Sequence, residues 1–399
     1  MTKTNRWASL LLLAATAVQA QTAGLLPAQP GDLVPARARA IDRAVPDSIE
    51  RLPLTYAQPL AADEALTAEP ALHRAESREY WQRVDAAALR QGYPLALTSA
   101  GALILLSPTP SAAAPDAARI RIVRGAERTT LDQAGEALAD AAALRAAGMQ
   151  VATGALGFRL RDGYETGAAL QLDGARGEYL LHVAEPRSDQ VLTLASRRDT
   201  LHAGDTVEVD LALEGGARIG HAAGLLVAPD GTALDLDLRS DGSRARGSVQ
   251  IPDAAAAMAG LWDLRTSVAA NDGTRAFQRD ARTAIAVSVP TARIAAATRD
   301  GKAPGRGTTA IDVDLDVASA GRYEVRGVLY GTAADGRLVP AAAAQSAAWF
   351  EPGSGRLRLD FPASAAGLNA PFELRDLRLN DQTVPALIER RARALRIER

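Results

Sequence analysis

The sequence predicts a mainly β protein, with tandem immunoglobulin-like β-sandwiches at its C-terminal end preceded by an α+β or decorated β domain. Three observations carry that expectation. Short segments alternate apolar and polar residues, turn signals separate them, and the pattern of one C-terminal stretch returns in the next. Val207, Val209, Leu211 and Leu213 point one way while Glu208 and Asp210 point the other. Ile311, Val313, Leu315 and Val317 alternate in the same manner with Asp312, Asp314 and Asp316, 104 positions after the first set.

The repeat continues in order. Pro252 stands ten residues before Trp262, and Pro362 ten before Phe372. Trp262-Asp263-Leu264-Arg265 then matches Phe372-Glu373-Leu374-Arg375 at a shift of 110, as Ile285 and Val287 match Leu395 and Ile397. We read this as a diverged tandem duplication, with one sandwich at 186–290 and the other at 291–399. Trp262 and Phe372 are expected to be inward rings, with Leu264 and Leu374 beside them. Leu377 and Leu379 break the phase set by Leu374, so a bulge is expected near Asp376. Pro229-Asp230-Gly231 and Asn271-Asp272-Gly273 read as hairpin turns.

Upstream, residues 1–20 have the pattern of a secretory signal. Lys3 and Arg6 precede an apolar core around Leu10–Leu13, and Val18-Gln19-Ala20 offers a small-residue cleavage site. The apolar run is shorter than the roughly 20 residues of a membrane-spanning helix, so no membrane span is expected. Gln21 rather than a cysteine follows the cut, which argues against a lipid anchor. Residues 21–75 are rich in proline and alanine and read as an extended surface arm or a partly disordered leader.

The domain at 76–185 is expected to hold two helices. Ser77 would cap the first, with Trp81, Val84 and Ala88 on one stripe and Gly92 and Pro94 ending it. Tyr80 and Trp81 then dock that helix on a sheet, or form a ligand platform. Thr130 and Gln133 have capping-box spacing, Leu131, Leu138 and Ala142 share a helical face, and Gly148 suits a left-handed end. Strands are expected at Ala102–Leu106, Ile120–Val123, Leu156–Leu160, Ala168–Leu172 and Tyr179–Val183.

Composition narrows the function classes. The chain has 45 basic and 47 acidic residues and a formal charge of -2, which disfavours a nucleic-acid partner. Arginine supplies nearly all the positive charge, and the alanine excess imitates helix signals. There are no cysteines, so burial alone must stabilise each module. His73, His182, His202 and His221 have no metal-ligand spacing. Asp235 with Asp237, and the Asp312-Asp314-Asp316 row, carry calcium-binding chemistry, yet their spacing along strands is that of a solvated face. Gly301–Gly307 superficially resembles a phosphate loop, but Ala296 stands where its first glycine belongs. Arg279-Asp280 and Arg375-Asp376 read as surface charges. No catalytic, cofactor-binding or metal residue is assigned, and no cofactor is expected.

Several segments together resemble a known family: Glu76-Ser77-Arg78-Glu79-Tyr80-Trp81, Leu89-Arg90-Gln91-Gly92, Gly101-Ala102-Leu103-Ile104 with Ser107-Pro108, Leu144–Met149, His182-Val183-Ala184-Glu185-Pro186 and Leu374–Leu379. The chain is similar through them, over about 75–399, to exported proteins of Gram-negative bacteria catalogued only as a domain of unknown function. That resemblance implies an N-terminal domain followed by immunoglobulin-like domains and supplies no catalytic residues. The expected function is that of an exported, non-enzymatic binding or structural protein of the envelope or secretome, periplasmic or secreted, with an envelope or extracellular protein or a glycan as partner. The alternatives are an exported hydrolase or its accessory subunit, with a site between the N-terminal and second domains, and an assembly factor that captures a partner strand at a sheet edge.

Overall fold

A computed structural model describes residues 24–66, 72–299, 309–362 and 368–398. The signal segment 1–20 and the glycine-rich segment 301–307 lie outside the described residues. Strand dominates throughout, and the buried apolar residues form three clusters, within 80–183, 192–287 and 292–397.

The five strands expected in the first unit form, Leu156–Leu160 and Ala168–Leu172 with the expected ends and Leu103–Pro108, Ile120–Arg124 and Glu178–Ala184 with ends shifted by at most two residues. Both expected helices are much shorter. Glu79–Asp85 is a strand, paired antiparallel with Glu178–Ala184, and only Ala86–Gln91 is helical. The physical reason is a period of two hidden under a plausible stripe. Tyr80 and Val84 face the core with Gln82 between them on the same side, and aromatic and β-branched side chains suit a pleated surface. Asp85, rather than Ser77, caps the helix by accepting from the Ala88 amide at 2.8 Å. Gly92 does end it, at φ +100°.

The second helix splits into Leu131–Ala134 and Ala141–Ala146, with the strand Gly135–Asp140 between them. Leu138 and Ala142, expected on its buried face, are exposed. Alanine spacing had imitated a continuous stripe where the strand pairs with Leu156–Leu160. Gly148 closes the last turn at φ +85°, where L side chains are strained.

The second and third units repeat one pairing scheme. In the second, Thr206–Leu213 pairs with Arg244–Gln250, Arg218–Val227 pairs with both Ala233–Asp241 and Gly260–Asn271, and the latter pairs with Ala276–Ser288. In the third, Thr309–Val317 pairs with Gly353–Phe361, Gly321–Thr332 pairs with both Leu338–Phe350 and Asn369–Asp381, and the latter pairs with Ala386–Ile397. Trp262 and Phe372 occupy equivalent strands, and Leu264 and Leu374 are both fully buried. Trp262 lies opposite Ile285, whereas Phe372 lies opposite Ile397 rather than Leu395, the residue matched to Ile285. Bulges in the third unit account for that slip of two. A separate bulge, in the pairing of Asn369–Asp381 with Gly321–Thr332, places Asp376 at φ +48° and leaves two residues, Asp376 and Leu377, facing Gly327 alone. Phe372 is also only partly buried, a correction to its reading as a central core ring. Both expected hairpin turns form, with Gly231 at φ +89° and Gly273 at φ +96°.

The proline-rich arm is ordered by the third unit. The Leu26 amide donates to the Ala394 carbonyl, and Leu33 exchanges backbone bonds with Arg390 along one sheet edge. Leu54–Pro59 then pairs with Leu338–Phe350 along the other edge. Prolines at both ends of that added strand are tolerated because it is an edge.

Burial separates the two rings energetically. Trp262→Ala should cost about 3–5 kcal/mol, since the indole is enclosed and its Nε1–H bonds the Met258 carbonyl at 3.0 Å. Phe372→Ala should cost clearly less. Thermal melts of the two variants would check the order, and equal losses would contradict it.

Candidate functional site: the cleft between the first two units

The segment 74–85 belongs to two sheets. Arg74–Ser77 pairs with Leu192–Ser196 in the second unit, and Glu79–Asp85 pairs with Glu178–Ala184 in the first. The crossing point is Arg78, whose carbonyl accepts from the Glu185 amide and whose Nε donates to the Ser188 carbonyl. The two units are therefore tied at one corner by a shared strand, and a cleft opens beside it.

Beneath the crossing lies an enclosed ion pair. Arg279 and Glu185 are both fully buried, with Arg279 Nη2 2.9 Å from Glu185 Oε2. Glu185 Oε1 accepts from the amides of Thr98 and Ser99, at 2.6 and 2.8 Å. Arg279 donates onward to Thr98 Oγ1, Ser188 Oγ and the carbonyls of Gln190 and Gln278. Burial pulls the Arg279 guanidinium below its usual value, and the Glu185 carboxylate opposes that shift. The reading of Arg279-Asp280 as surface charge is thus overturned, because the arginine sits at an inward position of its strand, between Phe277 and Ala281.

Asp280, on the opposite face of the same strand, lines a cleft of about 870 Å³ together with Glu79, Trp81, His221, Arg265 and Arg282. It also accepts from the Trp81 amide at 2.7 Å, a second link between the units. Tyr80 and Trp81 part company. Tyr80 is buried in the first core, while the Trp81 indole is 42 % exposed on the cleft wall. Its ring stacks on His182, directly opposite across the strand pair, with centroids 3.7 Å apart and planes 3° from parallel. His182 Nε2 lies 2.9 Å from Glu79 Oε2, so the ring beneath the indole is itself held. A second cavity of about 720 Å³ adjoins this one, sharing His221, Ala269 and Gln278 and lined by Tyr93, Pro94 and Phe277.

Two carboxyls of the cleft are driven apart. Hydrogen bonding to His182 lowers Glu79, whereas burial, assisted by the nearby Glu79 charge, pushes Asp280 up to about 6. Such a separation gives one ionised and one readily protonated acid near neutral pH.

The remaining expected features fall elsewhere. Asp312, Asp314 and Asp316 face arginines of neighbouring strands, Arg358 at 3.7 Å and Arg356 and Arg293 at 2.6 Å each. Asp235 lines the cleft, whereas Asp237 lies further along its strand. His202 is buried at the junction with the third unit, its Nε2 2.8 Å from the Ile388 carbonyl oxygen. Among the described residues no three His, Cys, Asp or Glu side chains group to hold a metal, and no helix is long and apolar enough to cross a membrane.

Residues 45–185 match the domain of unknown function DUF4785 N-terminal domain, and residues 291–398 match the DUF4785 C-terminal domain, together more than half of the chain. The chain belongs to the DUF4785 family. Its fold is similar to the crystal structure of a DUF4785 family protein from Legionella pneumophila subsp. pneumophila strain Philadelphia 1. That likeness has a TM-score of 0.73 at 19 % identity and covers 94 % of this chain and 99 % of the other. Another solved chain, pT26-6p, aligns at 9 % identity with a TM-score of 0.20, over 53 % of this chain and 64 % of that one, and carries no argument. No curated protein matches.

Two outcomes follow from the site. Arg279→Ala strands Glu185 as an unpaired buried charge and should cost about 3–5 kcal/mol, read by denaturant unfolding; Arg279→Met with Glu185→Gln should recover much of the loss. Asp280 gives a pH signature. Its folded value lies above the unfolded one, so its contribution to stability is complete below the unfolded value near 3.8 and is lost as pH rises through about 6. Asp280→Asn should therefore raise the melting temperature at pH 7.5, with the gain vanishing near pH 4. A gain independent of pH would contradict the assignment.

Proposed function

We propose that this DUF4785 protein is an exported, non-enzymatic binding protein of a Gram-negative envelope or its surroundings. Its two C-terminal sandwiches are immunoglobulin-like, and its ligand is a glycan held in the cleft between the first and second units. The observation that carries the reading is Trp81. A large apolar ring left open to solvent on a concave wall, backed by a stacked and hydrogen-bonded imidazole, is a rigid platform for the apolar face of a sugar ring. Around it stand planar hydrogen-bonding groups suited to hydroxyls: Glu79, Gln278, Asp280, Arg265 and Arg282. Export rests on the N-terminal signal pattern.

A second reading has its own support. Glu79 and Asp280, one held ionised and the other raised, form the kind of acid pair that glycoside hydrolysis employs. Under this reading the cleft cleaves what the first reading only holds.

Calorimetric titration of the protein with envelope oligosaccharides and peptidoglycan fragments separates the two. Binding without product formation, weakened tenfold or more by Trp81→Ala at an unchanged melting temperature, is the expected result. Turnover abolished by Asp280→Asn would establish the hydrolase instead. Binding indifferent to Trp81→Ala would remove the cleft from consideration.

A further inference from the structure

The outward face of the C-terminal five-stranded sheet carries an arrangement that the cleft does not use. Strand pairing places Tyr56, Gln345, Arg326, Arg378 and Arg390 in one row across all five strands. The next row sets Arg375 directly against Arg393, and Arg396 lies opposite Glu373 beyond it. Residues in one row share one face of a sheet, and the buried Val325, Leu329, Leu374 and Leu379 point to the other. Like charges directly opposite one another destabilise a strand pair, so three such pairs, Arg326 with Arg378, Arg378 with Arg390 and Arg375 with Arg393, need compensation.

Within the sheet the compensation is incomplete. Glu373 serves three of these arginines, Arg375 at 2.7 Å, Arg393 at 2.6 Å and Arg396 at 3.9 Å. Asp376 serves two, Arg378 at 2.7 Å and Arg326 at 3.9 Å. Arg390 donates to the Gly31 carbonyl. Five guanidinium groups thus share two central carboxylates while Arg390 meets a carbonyl, with Glu324 and Glu398, the latter 2.7 Å from Arg396, at the margin, in a chain whose overall formal charge is -2. Local excess of one sign on a flat face, against the sign of the whole molecule, creates a directed field.

The edge of the same face is apolar. Tyr56 shares the arginine row, Leu54 lies two residues before it on the same side, and Leu52 precedes both. They are 56 %, 57 % and 71 % exposed. Trp349, two positions along from Ala347 on the neighbouring strand, carries Arg51 over its ring at 4.3 Å. Guanidinium rows bordered by exposed leucine and aromatic side chains match a surface with phosphates at one level and hydrocarbon just beneath.

We propose that this face docks on an anionic lipid bilayer, the arginine rows engaging lipid phosphates and Leu52, Leu54 and Tyr56 entering the interface. A soluble polyanion would use the arginines and leave the apolar edge without a role. The contribution expected of each basic side chain near such a surface corresponds to roughly a fivefold change in affinity, and it decays within a Debye length of about 10 Å at 0.1 M salt.

Vesicle co-sedimentation of the full chain tests this. Vesicles of phosphatidylglycerol with phosphatidylethanolamine should capture the protein, phosphatidylcholine vesicles should not, and 0.5 M salt should release it. Arg326→Gln with Arg378→Gln and Arg390→Gln should weaken capture on the order of a hundredfold at an unchanged melting temperature. If that triple variant misfolds, Arg326→Gln alone, at an exposed position, should weaken it roughly fivefold. Leu54→Ser with Tyr56→Ser should weaken capture while leaving its salt dependence intact. Equal capture by both lipid compositions, or arginine variants that fold and bind as before, would overturn the proposal. So would retention by inorganic polyphosphate without capture by vesicles, which would identify a soluble anion as the partner.

Discussion

The pair of Arg279 and Glu185 is the constraint on which the relation of the first two units depends. Each charge comes from a different unit and neither touches solvent; Glu185 is held by the Thr98 and Ser99 amides of its own unit, and Arg279 by Thr98 of the first unit and by Ser188 and Gln190 of the connector. An enclosed ion pair gains little net stability because desolvation offsets most of its attraction. Misalignment, in contrast, leaves a bare charge in a dry site. The pair therefore penalises every orientation except the one that completes it, and that orientation brings the Trp81 amide to Asp280 and sets the width of the cleft.

Much of the fold was legible because half-buried strands write their own period. Val207–Leu213 and Ile311–Val317 alternate cleanly, and the pairings around them repeat from one sandwich to the next. The helices were over-read for a specific reason. In an alanine-rich chain, residues three and four apart are apolar by composition, so Trp81, Val84 and Ala88 mimic a stripe while Tyr80, Gln82 and Val84 carry the true period. The ion pair left a fainter trace. Glu185 continues the inward phase of Tyr179, Leu181 and Val183, and Arg279 continues that of Phe277 and Ala281. Two opposite charges at inward positions of separate strands point to burial and to each other; the adjacent Asp280 gives Arg279 the look of a surface pair. The cleft had no such signal, since it arises only when two units meet.

The duplicated sandwiches solve the same edge problem with different material. Exposed edges invite pairing with other chains. In the second unit, Arg74–Ser77 covers one end of the sheet and Thr200–His202 the other. In the third, both edges of the five-stranded sheet are met by the N-terminal arm, whose many prolines suit a segment that follows edges without entering a sheet centre. The arm crosses between those edges through Arg43, which pairs with Asp381 beside Thr291 and Tyr323. Its proline content, which on composition alone resembles disorder, is compatible with a bound and extended state.

Both junctions of the three units are thus polar, and they carry titratable groups of opposite tendency. At the first, burial raises Asp280, so the folded state favours the protonated acid and this contribution weakens as pH rises. At the second, burial lowers His202, so the folded state favours the neutral ring facing the Ile388 carbonyl, and protonation opposes it as pH falls below the usual histidine value. Asp205, 3.8 Å from His202 Nδ1, moderates that loss. Acid thus works against the neutral His202 ring and in favour of the buried Asp280 acid, while Glu389, raised by burial beside Ile388, offsets part of the His202 effect at the second junction.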